Sequence, residues 1–286
     1  MMNDLLIAGG GMAALGLALF LGTCWAAKSL PGRTLNLLAL LVVVSLGLYV
    51  EIAWYDVRLA RWLPFSSLVV LGNWLPLFAA VLAGIAWRSA AGSRVRQGIL
   101  TGSLLMTAVY ALVYPALGSA PACENRWDKT GICLQTTKVT CSPACAATLL
   151  AAHGIQATEQ EMAELCLTRR GTSWQGLYRG LKLKTAGTAW DVEVVTCSTA
   201  KLRELSGSPL ILSVGLESGN PEDTDYTREF GWVPGVNHSV VLHKFTLTGA
   251  AVISDPSIEM SREQWESPML QTLWRGYALR LVRRGN

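Results

Sequence analysis

The chain has 286 residues, 51% of them hydrophobic and 15% charged, which excludes a miniprotein on length and a disordered chain on composition. Its net charge of +4 is unevenly placed: residues 1–115 hold seven Lys/Arg against three Asp/Glu, whereas residues 116–286 hold seventeen of each. Zero net charge and no basic run longer than Arg169-Arg170 or Arg283-Arg284 exclude nucleic acid as the partner of that second part.

Four apolar stretches, Leu5–Ala27, Leu35–Tyr55, Phe65–Trp87 and Ile99–Leu117, are each long enough to cross ~30 Å of hydrocarbon. Residues 1–117 are therefore expected to form an α-helical membrane domain of four transmembrane helices. Trp25, Trp54, Trp62 and Trp87 fall near the span ends, where indole rings settle at the headgroup level, and Asn73–Pro76 predicts a kink. Cys24 reads as a small buried apolar residue, and Glu51, one turn from a span end, reads as snorkelling to the interface. Loops one and three carry Lys28, Arg33, Arg88, Arg94 and Arg96, whereas loop two carries Arg58 and Arg61. The positive-inside bias then puts loops one and three in the cytoplasm and everything after Leu117 outside. The absence of Lys or Arg before the first apolar stretch favours a retained span over a cleaved signal.

Beyond the last span the pattern changes to α+β. Helices are predicted over Pro143–His153, Thr158–Leu167 and Ser173–Lys182, the second opened by Thr158 and Glu161 in capping-box spacing. Strands are predicted at Asp191–Thr196, Pro209–Leu216, Ser239–Phe245, Ala250–Ser254 and Tyr277–Val282, rich in Val, Ile and Leu and separated by turn residues. Helices first and an antiparallel sheet second make residues 118–286 an α+β domain.

Chemistry concentrates at Gln135-Thr-Thr-Lys-Val-Thr-Cys141-Ser-Pro-Ala-Cys145, where a Cys opens a predicted helix. A thiol there sits on unpaired N–H groups and the positive end of the dipole, which favour the nucleophilic thiolate. A thiolate nucleophile needs an acid–base partner, and the chain has three His residues. His153 lies at the far end of the same helix, roughly 18 Å away by helix rise, and is excluded. His238 and His243, an odd number of positions apart, point to opposite faces of one strand. His238 is favoured because the next strand of the predicted hairpin ends at Asp255-Pro256. With a loop of two or four residues, His238 and Asp255 share a face at diagonal positions ~7–8 Å apart; an odd loop would separate them. Gln135 offers a side-chain amide for an oxyanion hole beside the Cys141 N–H.

Gln135-x5-Cys141 before a helix, then His238-x-Val-Val-Leu, then Val-Ile-x-Asp255-Pro, resembles the papain-like, bacteriocin-processing cysteine peptidases that remove double-glycine leaders. The resemblance covers Leu134 to Pro256. It implies a papain-like peptidase domain over residues 118–286, with Cys141 as nucleophile, His238 as general base and acid, Asp255 as orienter and Gln135 as oxyanion donor. It also implies a peptide or protein substrate, no cofactor and no metal, and points to a separate membrane transporter or secretion partner. Two features depart from the family: Ser142 stands where Gly usually follows the Cys, and the domain follows the membrane helices with no phosphate-binding loop anywhere in the chain.

Cys123 and Cys133 flank a short segment just after the last span, and a disulfide between them is expected. Cys145, one turn after Cys141, reads as a packed small residue, with a redox or metal partnership as the sharper alternative. Cys166 and Cys197 fit either buried positions or a mutual disulfide. The acidic loop Glu217–Asn237, with Tyr226, Phe230 and Trp232, runs directly into His238 and is a candidate substrate-gating flap. A membrane cysteine peptidase is the leading reading; a membrane thiol–disulfide oxidoreductase and a catalytically silent peptide-binding domain are the alternatives.

Overall fold

Apolar stretches that must satisfy every backbone group internally form helices, and the first part of the chain is helical almost throughout. Its helices are α1 (Asn3–Ala26), α2 (Gly32–Ile52), α3 (Leu59–Trp62), α4 (Leu68–Leu71), α5 (Leu75–Ser89) and α6 (Arg94–Val113). The structure, a computed structural model, describes all residues except 1, 55, 90–92, 206, 219–224, 260–261 and 286. It divides into two units, Met1–Leu117 and Gly118–Asn286.

In the first unit four helical segments are long and apolar enough to cross a membrane: Asn3–Ser29, Gly32–Ile52, Leu68–Ser89 and Arg94–Ala116. They match the four apolar stretches with shifted ends; the predicted end of the second, Tyr55, lies outside the described residues. Leu37, Leu40, Val43 and Leu48 of α2 and Val109 of α6 are exposed, an apolar surface of the kind lipid covers. Glu51 is exposed next to the last residue of α2.

The expected kink at Asn73–Pro76 is a full break between α4 and α5, because side chains replace the lost ladder bonds. The Asn73 side-chain amide donates to Ala111 O at 2.9 Å, and its Oδ1 accepts from Leu75 N–H at 3.3 Å. The Tyr49 hydroxyl donates to Gly72 O and accepts from Trp74 N–H at 3.1 Å, with the Tyr49 and Trp74 rings stacked at 5.2 Å. Cys24 is only half-buried, its Sγ 3.8 Å from Gly84 O, where α1 and α5 meet.

That meeting is close because Gly84 has no side chain: a Cβ there would lie 2.8 Å from Thr23 Cβ and 2.9 Å from Phe20 O. Gly84→Val is expected to destabilise the unit by about 1–3 kcal/mol, as overpacking does, read as a lowered unfolding temperature in detergent. An unchanged temperature would mean that α1 moves aside freely.

The second unit opens with an irregular segment and then α7 (Cys141–Ala152), α8 (Glu159–Leu165), α9 (Trp174–Lys184), β1 (Trp190–Thr196) and α10 (Thr199–Glu204). β2 (Leu210–Val214), α11 (Asp225–Arg228), β3 (His238–Phe245), β4 (Ala251–Ser254), β5 (Glu263–Trp265), α12 (Ser267–Leu273) and β6 (Trp274–Arg283) follow. The six strands form one antiparallel sheet in the order β1-β6-β2-β3-β4-β5. The predicted helices and strands are present, with ends shifted by at most three residues. The expected cap forms at Thr158, whose side chain accepts from Glu161 N–H at 3.0 Å, and Ser173 caps α9 by accepting from Gly176 N–H at 3.1 Å.

α7 is buried from Ser142 to Leu150 and packs on β3, α8 and α9, which makes the helix opened by Cys141 the central helix of the unit. On one sheet face Leu210, Leu212, Val214, Val240, Leu242, Ala251 and Ile253 form a core with Trp232, Trp265, Leu270 and Leu273.

The β3–β4 hairpin departs from the even loop that the sequence reading required. Thr246 N–H donates to Ala250 O at 2.8 Å and Gly249 N–H to Thr246 O at 3.0 Å, which leaves a three-residue loop with Gly249 at φ +89°. This odd loop would set His238 and Asp255 on opposite faces. A bulge between Leu242 and Lys244 restores the parity: Phe245 pairs with Ala251 and Lys244 with Val252, but Leu242 with Ile253 and Val241 with Ser254. Extended by one residue, the second register sets Asp255 opposite Val240, diagonal to His238.

Candidate functional site

Cys141 is the first residue of α7, so its N–H has no acceptor within the helix. Directly before it, Thr137 and Thr140 close a tight turn in which Thr140 Oγ1 accepts from Thr137 N–H and donates to Thr137 O, both at 3.0 Å. Ser142 lies buried, its Oγ 2.8 Å from Ser239 Oγ, and Cys145 Sγ donates to Ser239 O at 3.2 Å. Two bonds thus tie the opening turn of α7 to the residue after His238. The Ser142 side chain, which stands where the resembling family usually has Gly, is thus turned onto the strand.

His238, at the first position of β3, bonds through Nε2 to Asp255 Oδ1 at 2.8 Å. Its Nδ1 is the nitrogen left for Cys141. Asp255 is buried and works as a hub: Oδ1 also accepts from Ser257 N–H at 2.8 Å and Ser257 Oγ–H at 2.7 Å, and Oδ2 from Trp232 Nε1–H at 2.8 Å. Burial pushes the Asp255 carboxyl up, but the His238 charge, the His238 hydrogen bond and the two Ser257 bonds hold it below its ordinary value. Burial also pushes the Cys141 thiol up, and it is outweighed by the His238 charge and hydrogen bond, the Ser239 backbone and the Ser142 hydroxyl, so the thiol is lowered. For His238 burial acts downward, yet Cys141 and Asp255 together raise it to about 10. Both shifts favour a thiolate–imidazolium pair.

Gln135 is brought to the same corner from the other side, its N–H donating to Pro256 O at 2.9 Å, and its side-chain Oε1 is buried without a partner among the described residues. The next residue is pinned by Glu159, whose fully buried carboxylate accepts from Thr136 N–H at 2.7 Å and Thr136 Oγ–H at 2.6 Å. His153, at the far end of α7, bonds Leu149 O at 2.8 Å; His243, lowered to about 4 by burial and by Arg262, bonds Ser254.

Trp232 is the site residue whose position the sequence hid. Beyond its bond to Asp255, its ring lies 4.6 Å from the His238 ring and packs on Tyr226 and Trp265. Residues 219–224 of the expected flap lie outside the described residues, but its later part is anchored: Trp232 is buried and Tyr226 OH donates to Glu263 at 2.7 Å. The described end of the candidate substrate-gating flap is thus held at Trp232 and Tyr226. Trp232→Phe, which keeps an aromatic ring and deletes the N–H, is expected to slow alkylation of Cys141 near neutral pH by up to about tenfold through the loosened Asp255–His238 pair; an unchanged rate would show that this bond orients nothing.

The expected Cys123–Cys133 disulfide is absent, and both thiols are free. The Trp127–Cys133 bridge turns Cys133 inward, where its N–H donates to Thr148 Oγ1 at 2.9 Å, while Cys123 Sγ lies against Pro121 O at 3.5 Å. Cys166 and Cys197 are likewise free, the first buried against α9. No group of three or more His, Cys, Asp or Glu able to hold a metal occurs among the described residues.

No family model matches the chain, and no curated protein matches it. Among solved structures the chain is similar to the peptidase domain of Streptococcus ComA, a bifunctional ABC transporter in a quorum-sensing pathway. That match has 18% identity and a TM-score of 0.42, over 53% of this chain and 96% of that one. A double-glycine-motif protease from an AMS/PCAT transporter, in complex with its leader peptide, matches at 15% identity and TM-score 0.41, over 58% and 94%. A periplasmic domain of the Vibrio vulnificus EpsAB fusion protein of type II secretion matches at 15% and 0.32, over 55% and 50%.

Proposed function

We propose that the chain is a membrane-anchored cysteine peptidase that cleaves peptide bonds through an acyl-thioester on Cys141. The observation that carries this reading is the His238 ring, held by Asp255 at 2.8 Å, beside a lowered thiol at the N-terminus of a buried helix. In the proposed reaction the Cys141 thiolate attacks the scissile carbonyl carbon, and the carbonyl electron pair moves onto oxygen. The Cys141 N–H and the Gln135 amide stabilise that oxyanion. Protonated His238 gives its proton to the leaving amine as the C–N bond breaks, which leaves an acyl-thioester. Neutral His238 then takes a proton from water, the resulting hydroxide attacks the thioester, and the acid product departs as the thiolate re-forms. Asp255 fixes the ring and stabilises its charged form.

The substrate is a peptide or protein segment, delivered by a separate transporter or secretion partner in the membrane. With five basic residues in loops one and three against two in loop two, the domain is assigned to the extracytoplasmic side. Thiol–disulfide exchange between Cys141 and Cys145 is disfavoured: Cys145 is 1% exposed, and burial together with the charges of Cys141 and Asp255 pushes its thiol well up.

The test is to trap the intermediate. The full chain in detergent, incubated with a peptide mixture, quenched in acid and mapped by mass spectrometry, should carry N-terminal product fragments on Cys141 that hydroxylamine releases. Cleavage that persists in Cys141→Ala would overturn the reading.

A further inference from the structure

Glu159 is the first residue of α8 and is fully buried, whereas the other buried positions of that helix, Met162, Ala163 and Leu165, are apolar. A buried carboxylate is costly to desolvate and persists where its hydrogen bonds offset that cost. Its Oε1 accepts from Thr136 N–H at 2.7 Å and its Oε2 from Thr136 Oγ–H at 2.6 Å, the short lengths of charge-assisted bonds. Burial, then the charge and hydrogen bond of Glu159, push the nearby Cys123 thiol up to about 11. The next residue, Gln160, grips the other arm of the same segment: its Oε1 accepts from Cys123 N–H at 2.8 Å, and its N–H donates to Asn125 Oδ1 at 2.9 Å. Thr136 Oγ1 joins the two arms by accepting from Glu124 N–H at 2.8 Å.

Gln135 therefore sits between two fixed peptide planes. The plane before its Cα is tied by Gln135 N–H to Pro256 O at 2.9 Å, one residue from Asp255. The plane after its Cα is tied by Thr136 N–H to Glu159 Oε1. Because each peptide unit is planar, fixing both sets φ and ψ at residue 135 and the direction in which its side chain leaves the backbone. The side-chain Oε1 is buried without a partner among the described residues, so the aim of the amide depends on the backbone that carries it.

We propose that Glu159 is a positioning residue for the reaction at Cys141, which aims the Gln135 amide at the oxyanion by holding the Thr136 peptide. The proposal rests on the peptidase reading of Cys141 and on Gln135 as oxyanion donor. Leu at position 159 would leave Thr136 N–H without its acceptor and free the plane to turn, and a misplacement of about 1 Å is enough to cost about 10²-fold in rate. Gln at position 159 keeps a carbonyl oxygen for Thr136 N–H, while the Thr136 hydroxyl can rotate to accept from the new amide. The tie then survives with a neutral and weaker acceptor.

The experiment compares two reactions of Cys141 in the full chain in detergent. p-Nitrophenyl acetate acylates the thiolate through an oxyanion: the S–C bond forms as the carbonyl electron pair moves onto oxygen, and its return expels p-nitrophenolate. Iodoacetamide alkylates the same thiolate by displacing iodide and forms no oxyanion, so its rate reports the thiol–imidazole pair alone. Rates above the Cys141→Ala background are taken for wild type, Glu159→Gln, Glu159→Leu and Gln135→Ala, and for each Glu159 variant combined with Gln135→Ala. Acylation should fall about fivefold in Glu159→Gln and up to about 10²-fold in Glu159→Leu, with alkylation at the wild-type rate. In the Gln135→Ala background neither substitution should lower acylation further, because the amide that Glu159 aims is gone. Where Glu159→Leu does not fold, shown by lost selectivity of alkylation for Cys141, Glu159→Gln decides alone. Equal acylation losses with and without the Gln135 side chain would overturn the proposal. So would wild-type acylation in Glu159→Gln, or acylation and alkylation falling together in that variant. If wild type shows no acylation that Cys141→Ala lacks, the peptidase reading itself fails and takes the proposal with it.

Discussion

Replacing His238 with Ala is expected to lower peptide cleavage by roughly 10⁴-fold, because one substitution removes the proton donor to the leaving amine and the charge that keeps Cys141 ionised. Burial is the strongest influence on the Cys141 thiol and acts upward. Without the imidazolium nothing of similar size opposes it, and the thiol moves back above its ordinary value. The pH dependence follows from the same pair. In the wild type, activity should rise as pH passes the lowered thiol value. It should fall again as pH rises through about 10, where His238 loses the proton that the leaving amine needs. The variant should retain no such bell, only a residual rate that increases with hydroxide. A His238→Ala protein that keeps a tenth or more of wild-type kcat/KM would contradict the assignment.

The second large effect belongs to Asp255. Asp255→Asn keeps the shape and one acceptor oxygen, but an amide cannot hold an imidazolium as a carboxylate does. It is expected to lower kcat by about 10²–10⁴-fold and to bring the basic limb of the profile down from about 10 towards 6.5. Asp255→Ala leaves His238, Trp232 and both Ser257 donors without their acceptor. It should cost about 3–5 kcal/mol of stability, the scale for breaking one side of a buried charge pair. The sign with pH is set by the lowered carboxyl: its stabilisation is present above 3.8 and is lost as pH falls through the folded-state value. The wild type should therefore lose more stability than Asp255→Asn in that acid window, by thermal unfolding. Equal acid sensitivity of the two would show that the carboxylate is not charged in the folded protein.

The four apolar helices and three residues of the candidate site, Cys141, His238 and Asp255, were legible because each is written locally: hydrophobic length, a Cys opening a helix, a His opening a strand and an Asp closing its neighbour. The register that joins His238 to Asp255 was not. It depends on two deviations that cancel, a three-residue loop at Gly249 and a bulge beside His243, and neither leaves a pattern in an eight-residue strand. Trp232 was visible as an aromatic in a long loop, but its bond to Asp255 joins positions 23 residues apart. The short elements α10, α11, α12 and β5 span too few residues to establish a period. Pairing of Cys123 with Cys133 was inferred from spacing, and spacing carries no information on the inward turn that sends Cys133 to Thr148.

The central claim is that Cys141 is a thiolate because His238 is beside it, and it is tested most directly by the pH dependence of Cys141 alkylation, read by peptide mass spectrometry on the full chain. The wild type should label rapidly and almost independently of pH from near neutrality upward. His238→Ala should label roughly 10²-fold more slowly near pH ~6.5, recovering only as pH rises past ~9. Slow labelling of Cys141 in both proteins, with the same dependence on pH, would contradict the account.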